Sequence, residues 1–267
     1  MQGIRFVKMV ASGNDFVIAE EKELRAANAG NIARALCQRK SGIGSDGLLV
    51  LGPSKRADVR MRVFNADGSE AEMCGNGARC VALYMCHFHS RKPSLTIETK
   101  AGIIRAEVSG HNVKIKLTDP LVRAQQMSLS LKKSLNVYYI NTGVPHVVIF
   151  VEGLDAIDVE TIGRQVRYHR KFAPAGTNVN FVEVVAPSLI KVRTYERGVE
   201  GETLACGTGS VASALIFAMK TGAKDKVGVY TKSKELLTVY FKDEKGSFSN
   251  VWLKGQARIV FLGTSVI

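Results

Sequence analysis

Two cysteines in matched settings are the residues of this chain best suited to chemistry. Residues 70–83 read EAEMCGNGARCVAL and residues 202–215 read ETLACGTGSVASAL, and both fit E-x-x-x-C-G-x-G-x-x-x-x-A-L. The second copy follows the first by about half of the 267-residue length, which predicts two copies of one structural unit. Cys74 and Cys206 each precede G-x-G and a helix-like run, so each is predicted at or just before a helix N-terminus. The first-turn N–H groups there are unpaired and the helix dipole favours negative charge. Such a position is expected to lower a thiol's pKa and stabilise the thiolate, the form that acts as a base. The glycines let the backbone approach a ligand, so the same N–H groups can hold a carboxylate. Asn76 and Thr208 stand at the x of each C-G-x-G and can add a side-chain hydrogen bond. One thiol and half of an anion clamp per copy suit a reaction that needs one group on each side of its substrate.

The elements that must position these residues alternate in style. RFVKMVA and FVIAE read as strands around the turn Ser12–Asp15, and a helix is expected near 28–39. Strands LLVLG and DVRMRVFNAD lead to a helix from about Gly77 to His87, followed by an antiparallel meander through LTIETKAGIIRAEVSGHNVKIKL. The second half repeats this order: strands VYYINTG and HVVIFVE, a helix over about 156–167, then strands NVNFVEV and IKVRTYER. A helix from about Gly209 to Thr221 and four closing strands complete it. VALYM and VASALIFAM are apolar nearly all round, as a helix enclosed by a curved sheet requires. The expected fold is α+β, in two pseudo-symmetric halves, each a mainly antiparallel sheet around a central helix. The halves are expected at 1–117, carrying Cys74, and 118–255, carrying Cys206.

Composition narrows the function. The chain is 46% hydrophobic and 23% charged, enough to bury a core. Its N-terminus lacks the apolar run of a signal peptide, and its longest apolar stretch, Ala214–Met219, is far too short for a bilayer; no membrane partner and a cytoplasmic location are expected. Five cysteines, at 37, 74, 80, 86 and 206, argue for free thiols rather than a disulfide framework. The net charge of +13 invites nucleic acid, but the basic residues are scattered and lie beside acids, as in Lys224-Asp225-Lys226. The densest stretch, Arg164–Lys171, carries Tyr168 as its one aromatic, so no nucleic-acid partner is expected. Cys74, Cys80 and Cys86 with His87 and His89 are rich in ligands, yet six-residue spacings turn helical thiols to different faces and no C-x-x-C occurs. No metal is expected.

NADGSEAEMCGNGARC and ERGVEGETLACGTG, with GNDF near the start and a G-x-P-H, closely resemble diaminopimelate epimerase, in order and over nearly the whole chain. The resemblance implies a cofactor-independent isomerase interconverting LL- and meso-diaminopimelate, a small-molecule substrate on the route to lysine and peptidoglycan. It also implies a site in the cleft between the halves, a homodimer, and a final strand (about 256–267) returning to the first half. Cys74 and Cys206 then match the two catalytic thiols, and His146 and Glu196 the pair that assists them by taking up their protons. Asn14, Asn65, Asn178 and Arg197 match substrate-binding positions, and Gly75, Asn76, Gly207 and Thr208 match the carboxylate clamp.

Read by residue type alone, His146 is a lone polar residue beside a strand, Asn65 belongs to a turn with Asp67 and Gly68, and Arg197 is a surface charge. Two positions depart from the family pattern: Val144 stands where many members have Asn, and Gly47 where some have Gln. Asn180, on the same strand face as Asn178, is a candidate to compensate. The rival readings are another two-cysteine racemase such as proline racemase, which typically carries His where this chain has Asn76, and a basic, non-enzymatic binding protein. An isomerase of the phenazine-biosynthesis type would lack the two cysteines.

Overall fold

The structure, a computed structural model, describes residues 3–24, 27–90, 92–121, 123–131, 134–244 and 246–266. The chain divides into two compact units, Met1–Lys116 with Gly255–Ile267, and Leu117–Lys254.

In the first unit, β1 (Ile4–Ala11) and β2 (Asn14–Glu20) form a hairpin, and α1 (Ala29–Cys37) carries the chain across to β3 (Gly47–Gly52), parallel to β2. β4 (Val59–Asn65) returns antiparallel to β3, and the short β5 (Glu70–Ala71) pairs back on β4. Then comes α2 (Gly75–Phe88), followed by β6 (Ser94–Thr99) parallel to β4 and the antiparallel β7 (Gly102–Ser109) and β8 (Asn112–Lys116).

The second unit repeats this connectivity. β9 (Gln125–Ser130) pairs with β10 (Ser134–Asn141), β10 with β11 (Pro145–Phe150), and α3 (Val159–Arg167) crosses to β12 (Asn178–Ala186), parallel to β11. β13 (Leu189–Glu196) returns antiparallel, β14 (Gly201–Thr203) pairs on it, and α4 (Gly207–Thr221) follows. β15 (Lys226–Thr231) is parallel to β13, and β16 (Leu236–Glu244) and β17 (Ser247–Gln256) complete the meander. β18 (Arg258–Ser265) lies antiparallel on β1, where β9 lies on β10 in the other unit. The last strand thus fills in its own unit the place that β9 fills at the start of its unit.

The two helices after the cysteines are the cores. α2 buries Ala78 to Tyr84 without a break and packs on β1, β2, β4, β6, β7 and β8. α4 buries Gly209 to Ala218 and packs on β10, β11, β12, β13, β15 and β16. A helix apolar on every face has to be enclosed, and each sheet does this by curving around it. The other two helices cover outer faces and are amphipathic. Asn28 caps α1 by accepting from Asn31 N at 3.2 Å, and Asp158 caps α3 by accepting from Thr161 N at 3.0 Å. No helix among the described residues is long and apolar enough to cross a membrane.

Candidate active site

Both cysteines occupy N-cap positions. Cys74 caps α2 with extended backbone, and its Sγ accepts from Gly77 N at 3.3 Å. Cys206 caps α4 in the same conformation, buried to 7% exposure, with Sγ 3.5 Å from Thr208 Oγ1.

The Cys206 thiol differs electrostatically from what the motif alone predicts. Burial pushes Cys206 up to about 12, and the nearby Glu196 adds to this; Thr208 and the N–H groups of Gly209 and Thr208 pull the other way without prevailing. The helix terminus therefore acts in the expected sense, but desolvation and a neighbouring carboxylate outweigh it. Cys206 rests as a thiol. Glu196, at the end of β13, is itself raised by burial, with Thr203 opposing.

The glycines of the two motifs serve the packing as well as any ligand. A Cβ on Gly77 would sit 3.1 Å from Leu49 Cδ2, and one on Gly209 only 2.3 Å from Asn180 Oδ1. The second glycine of each G-x-G is thus where the helix seats on its own sheet. Gly75 and Gly207 are less confined, with nearest atoms at 3.6 Å and 3.2 Å.

In the first unit the substrate-binding candidates join one directed chain of hydrogen bonds. Arg79, fully buried, donates to Asn76 Oδ1 (2.6 Å) and Ser12 Oγ (2.7 Å). Asn76 Nδ2 donates to Asn14 Oδ1 (2.5 Å), and Asn14 Nδ2 donates to Asp46 Oδ2 (3.0 Å). A guanidinium can only donate and a carboxylate only accept, so the two ends fix how both amides face. Asp46 is held by Arg39, which also binds Asp15; Lys8 binds Asp15 and the Gly44 carbonyl. Burial pushes Asp15 up, but Arg39 and Lys8 overcome it and hold the carboxyl down at about 2. Asn65 lies apart from this chain, exposed, at the end of β4, where its Nδ2 donates to Ser69 Oγ at 3.0 Å.

In the second unit Asn178 anchors backbone: its Nδ2 donates to Pro145 O at 3.0 Å and its Oδ1 accepts from Arg197 N at 2.9 Å. That fixes the turn carrying Arg197, whose side chain donates to Ala175 O at 3.4 Å. His146, at the start of β11, is fully buried, and burial with the charge of Arg197 drives it down to about 3. It is a neutral imidazole at ordinary pH, which limits the proton uptake expected of it. Asn180 does not replace the amide missing at Val144. It is fully buried and its side chain is engaged by His146, Val147 O and Thr194.

Sequence reasoning missed Arg79, Ser12, Asp46 and Thr194 as parts of this machinery. Arg79 carried a readable signal, a charged residue one turn after Asn76 on an otherwise apolar helix. Thr194 carried none, because its partner lies on a neighbouring strand.

The match to known proteins is broad. The model of the family "Diaminopimelate epimerase" matches residues 6–122 and 138–260. The chain is 40% identical to the diaminopimelate epimerase of Aquifex aeolicus over 97% of each chain, and 44% identical to that of Archaeoglobus fulgidus over 86% of each. Among solved structures, a Bacillus anthracis phenazine biosynthesis protein of the PhzF family superposes with TM-score 0.76 at 21% identity over the full length of both chains. A probable proline racemase from Agrobacterium radiobacter gives 0.71 at 15% identity, covering 99% of this chain and 93% of its own. At these identities the two structures share the fold alone. Whole-length family match, two relatives at or above 40% identity and the doubled cysteine motif agree: the chain belongs to the diaminopimelate epimerase family.

Proposed function

We propose that this chain is a cofactor-independent epimerase that interconverts LL- and meso-diaminopimelate by two-base proton transfer. The observation that carries the reading is the placement of Cys74 and Cys206 at the same N-cap of two units with the same connectivity. Inverting a stereocentre requires one group to remove the α-proton from one face and another to deliver a proton to the opposite face. Cys206, resting as a thiol, enters as the donor, and Cys74 takes the part of base; the roles exchange in the reverse reaction. Glu196, raised by burial, is suited to exchange a proton with Cys206.

Without a cofactor to spread the carbanion's charge, the carboxylate has to be met by preorganised donors. The N–H groups at Gly75, Asn76, Gly207 and Thr208 are suited to this, and the Arg79-to-Asp46 chain holds the Asn76 and Asn14 amides in one orientation. Asn65, Asn178 and Arg197 complete the proposed binding set, with Arg197 reading the distal carboxylate. Asn76 in place of His favours this substrate over proline. A homodimer belongs to the same reading, supported by the exposed Val260, Phe261 and Leu262 on β18; light scattering at twice the chain mass tests it.

The test of function is the pair Cys74→Ala and Cys206→Ala, assayed with LL-diaminopimelate under reducing conditions. Each is expected to fold normally and to lose epimerisation. Full turnover in either would refute two-base transfer.

A further inference from the structure

The two units differ at three buried positions that their common registers place in correspondence. In the first unit Phe16 stands across from Gly47, Leu49 from Val63, and Val63 from Ala71. In the second, His146 stands across from Asn178, Asn180 from Thr194, and Thr194 from Thr203. The helix confirms the alignment: the Cβ position of Gly77 meets Leu49, and that of Gly209 meets Asn180. Phe16, Leu49 and Val63 are thus represented by His146, Asn180 and Thr194, and all six are buried. An apolar trio is the cheaper solution on this framework, since buried polar groups cost free energy unless every one is paired.

The polar trio is paired in one direction only. The Val147 carbonyl can only accept, so the Asn180 atom 2.9 Å from it is the amide nitrogen, Nδ2. Thr194 Oγ1 donates to Oδ1 at 3.0 Å. The same Nδ2 lies 3.2 Å from His146 Nδ1, so Nδ1 must offer a lone pair and the ring proton must sit on Nε2. Nε2 is buried and has no hydrogen-bond partner among the described residues.

We propose that Asn180, held by Thr194 and Val147 O, is a positioning residue that fixes His146 as the Nε2–H tautomer, so that His146 serves the site as a neutral hydrogen-bond donor rather than as a resting base. This deepens the epimerase reading above and rests on it for its catalytic meaning, but the tautomer itself is independent of substrate. The charged groups nearest the ring agree: Arg197 disfavours a second proton there.

The experiment is ¹⁵N NMR on full-length chain labelled at its five histidines, with His146 assigned by comparison with His146→Gln. In the wild type, Nδ1 is expected unprotonated and Nε2 protonated throughout pH 5 to 8, with a through-hydrogen-bond coupling from Asn180 Nδ2 to His146 Nδ1. Asn180→Asp replaces the donor with an acceptor and is expected to place a proton on Nδ1, lowering kcat on the order of a hundredfold with KM little changed. A wild-type ring protonated on Nδ1, or an Nδ1 that stays unprotonated in Asn180→Asp, would overturn the proposal. Should that variant not fold, the wild-type coupling decides: its presence supports the assignment and its absence overturns it. If the tautomer is as assigned but the chain lacks epimerase activity, the functional reading fails and this inference stands.

Discussion

Alanine at the second glycine of each motif separates the two units most sharply. In Gly209→Ala the new Cβ would lie 2.3 Å from Asn180 Oδ1 and 3.3 Å from Cys206 Sγ, so the Asn180 amide has to move. Three hydrogen bonds depend on where it sits: to Val147 O, to His146 Nδ1 and from Thr194 Oγ1. At about 1 kcal/mol net for each, their loss costs about 3 kcal/mol, against up to about 1 kcal/mol regained by alanine in a helix. The expected net destabilisation is about 2 kcal/mol. In Gly77→Ala the tight contact of the Cβ is with the far end of Leu49, at 3.1 Å from Cδ2, where a flexible methyl can give way, and Cys74 Cβ lies at an ordinary 3.4 Å. That variant is expected to stay within about 0.5 kcal/mol of the wild type. Urea unfolding of the full chain, followed by far-UV circular dichroism, reads both. Equal midpoints for the two variants, or a Gly209→Ala chain as stable as the wild type, would refute the packing argument.

Three further outcomes follow from the charges. With Cys206 pushed up to about 12, on the order of one thiol in ten thousand is ionised at pH 8; Glu196→Gln removes the carboxylate part of that effect, so iodoacetamide alkylation of Cys206 should speed up, and an unchanged rate would contradict the assignment. Arg79→Leu deletes the donor that fixes Asn76, which should cost about 1.5–3 kcal/mol of unfolding free energy and raise KM; stability lost with KM unchanged would separate the relay from substrate binding. Asp15 is held low in the folded chain at about 2, so between the ordinary carboxylate range and that value the unfolded chain binds more protons than the folded one. Its contribution is therefore complete above that range and disappears as pH falls toward 2, and Asp15→Asn should flatten the acid limb of an unfolding titration.

The doubled motif made the duplication, the two enclosed helices and the N-cap cysteines legible before any coordinates, because sequence period and helix capping are local. α2 begins at Gly75 and α4 at Gly207, each two residues earlier than the apolar runs alone suggest, since the G-x-G itself is the first turn. The Cys206 thiol departs from its sequence expectation for a physical reason: the helix terminus is visible in sequence, but the burial and the Glu196 charge that overrule it are tertiary. Asn180 was legible only as a residue on the face of Asn178. Its partners, His146 and Thr194, are brought to it by a parallel crossover and a neighbouring strand, and no spacing along the chain announces them.

In the proposed reaction two thiols invert one α-carbon of diaminopimelate without a cofactor. The direct measurement is incubation of LL-diaminopimelate with the reduced chain in D₂O, followed by proton NMR and resolution of the stereoisomers. Two-base transfer predicts meso product carrying deuterium at one inverted α-carbon, abolished in Cys74→Ala and in Cys206→Ala. Product formed without solvent deuterium, or no exchange with this substrate at all, would contradict it.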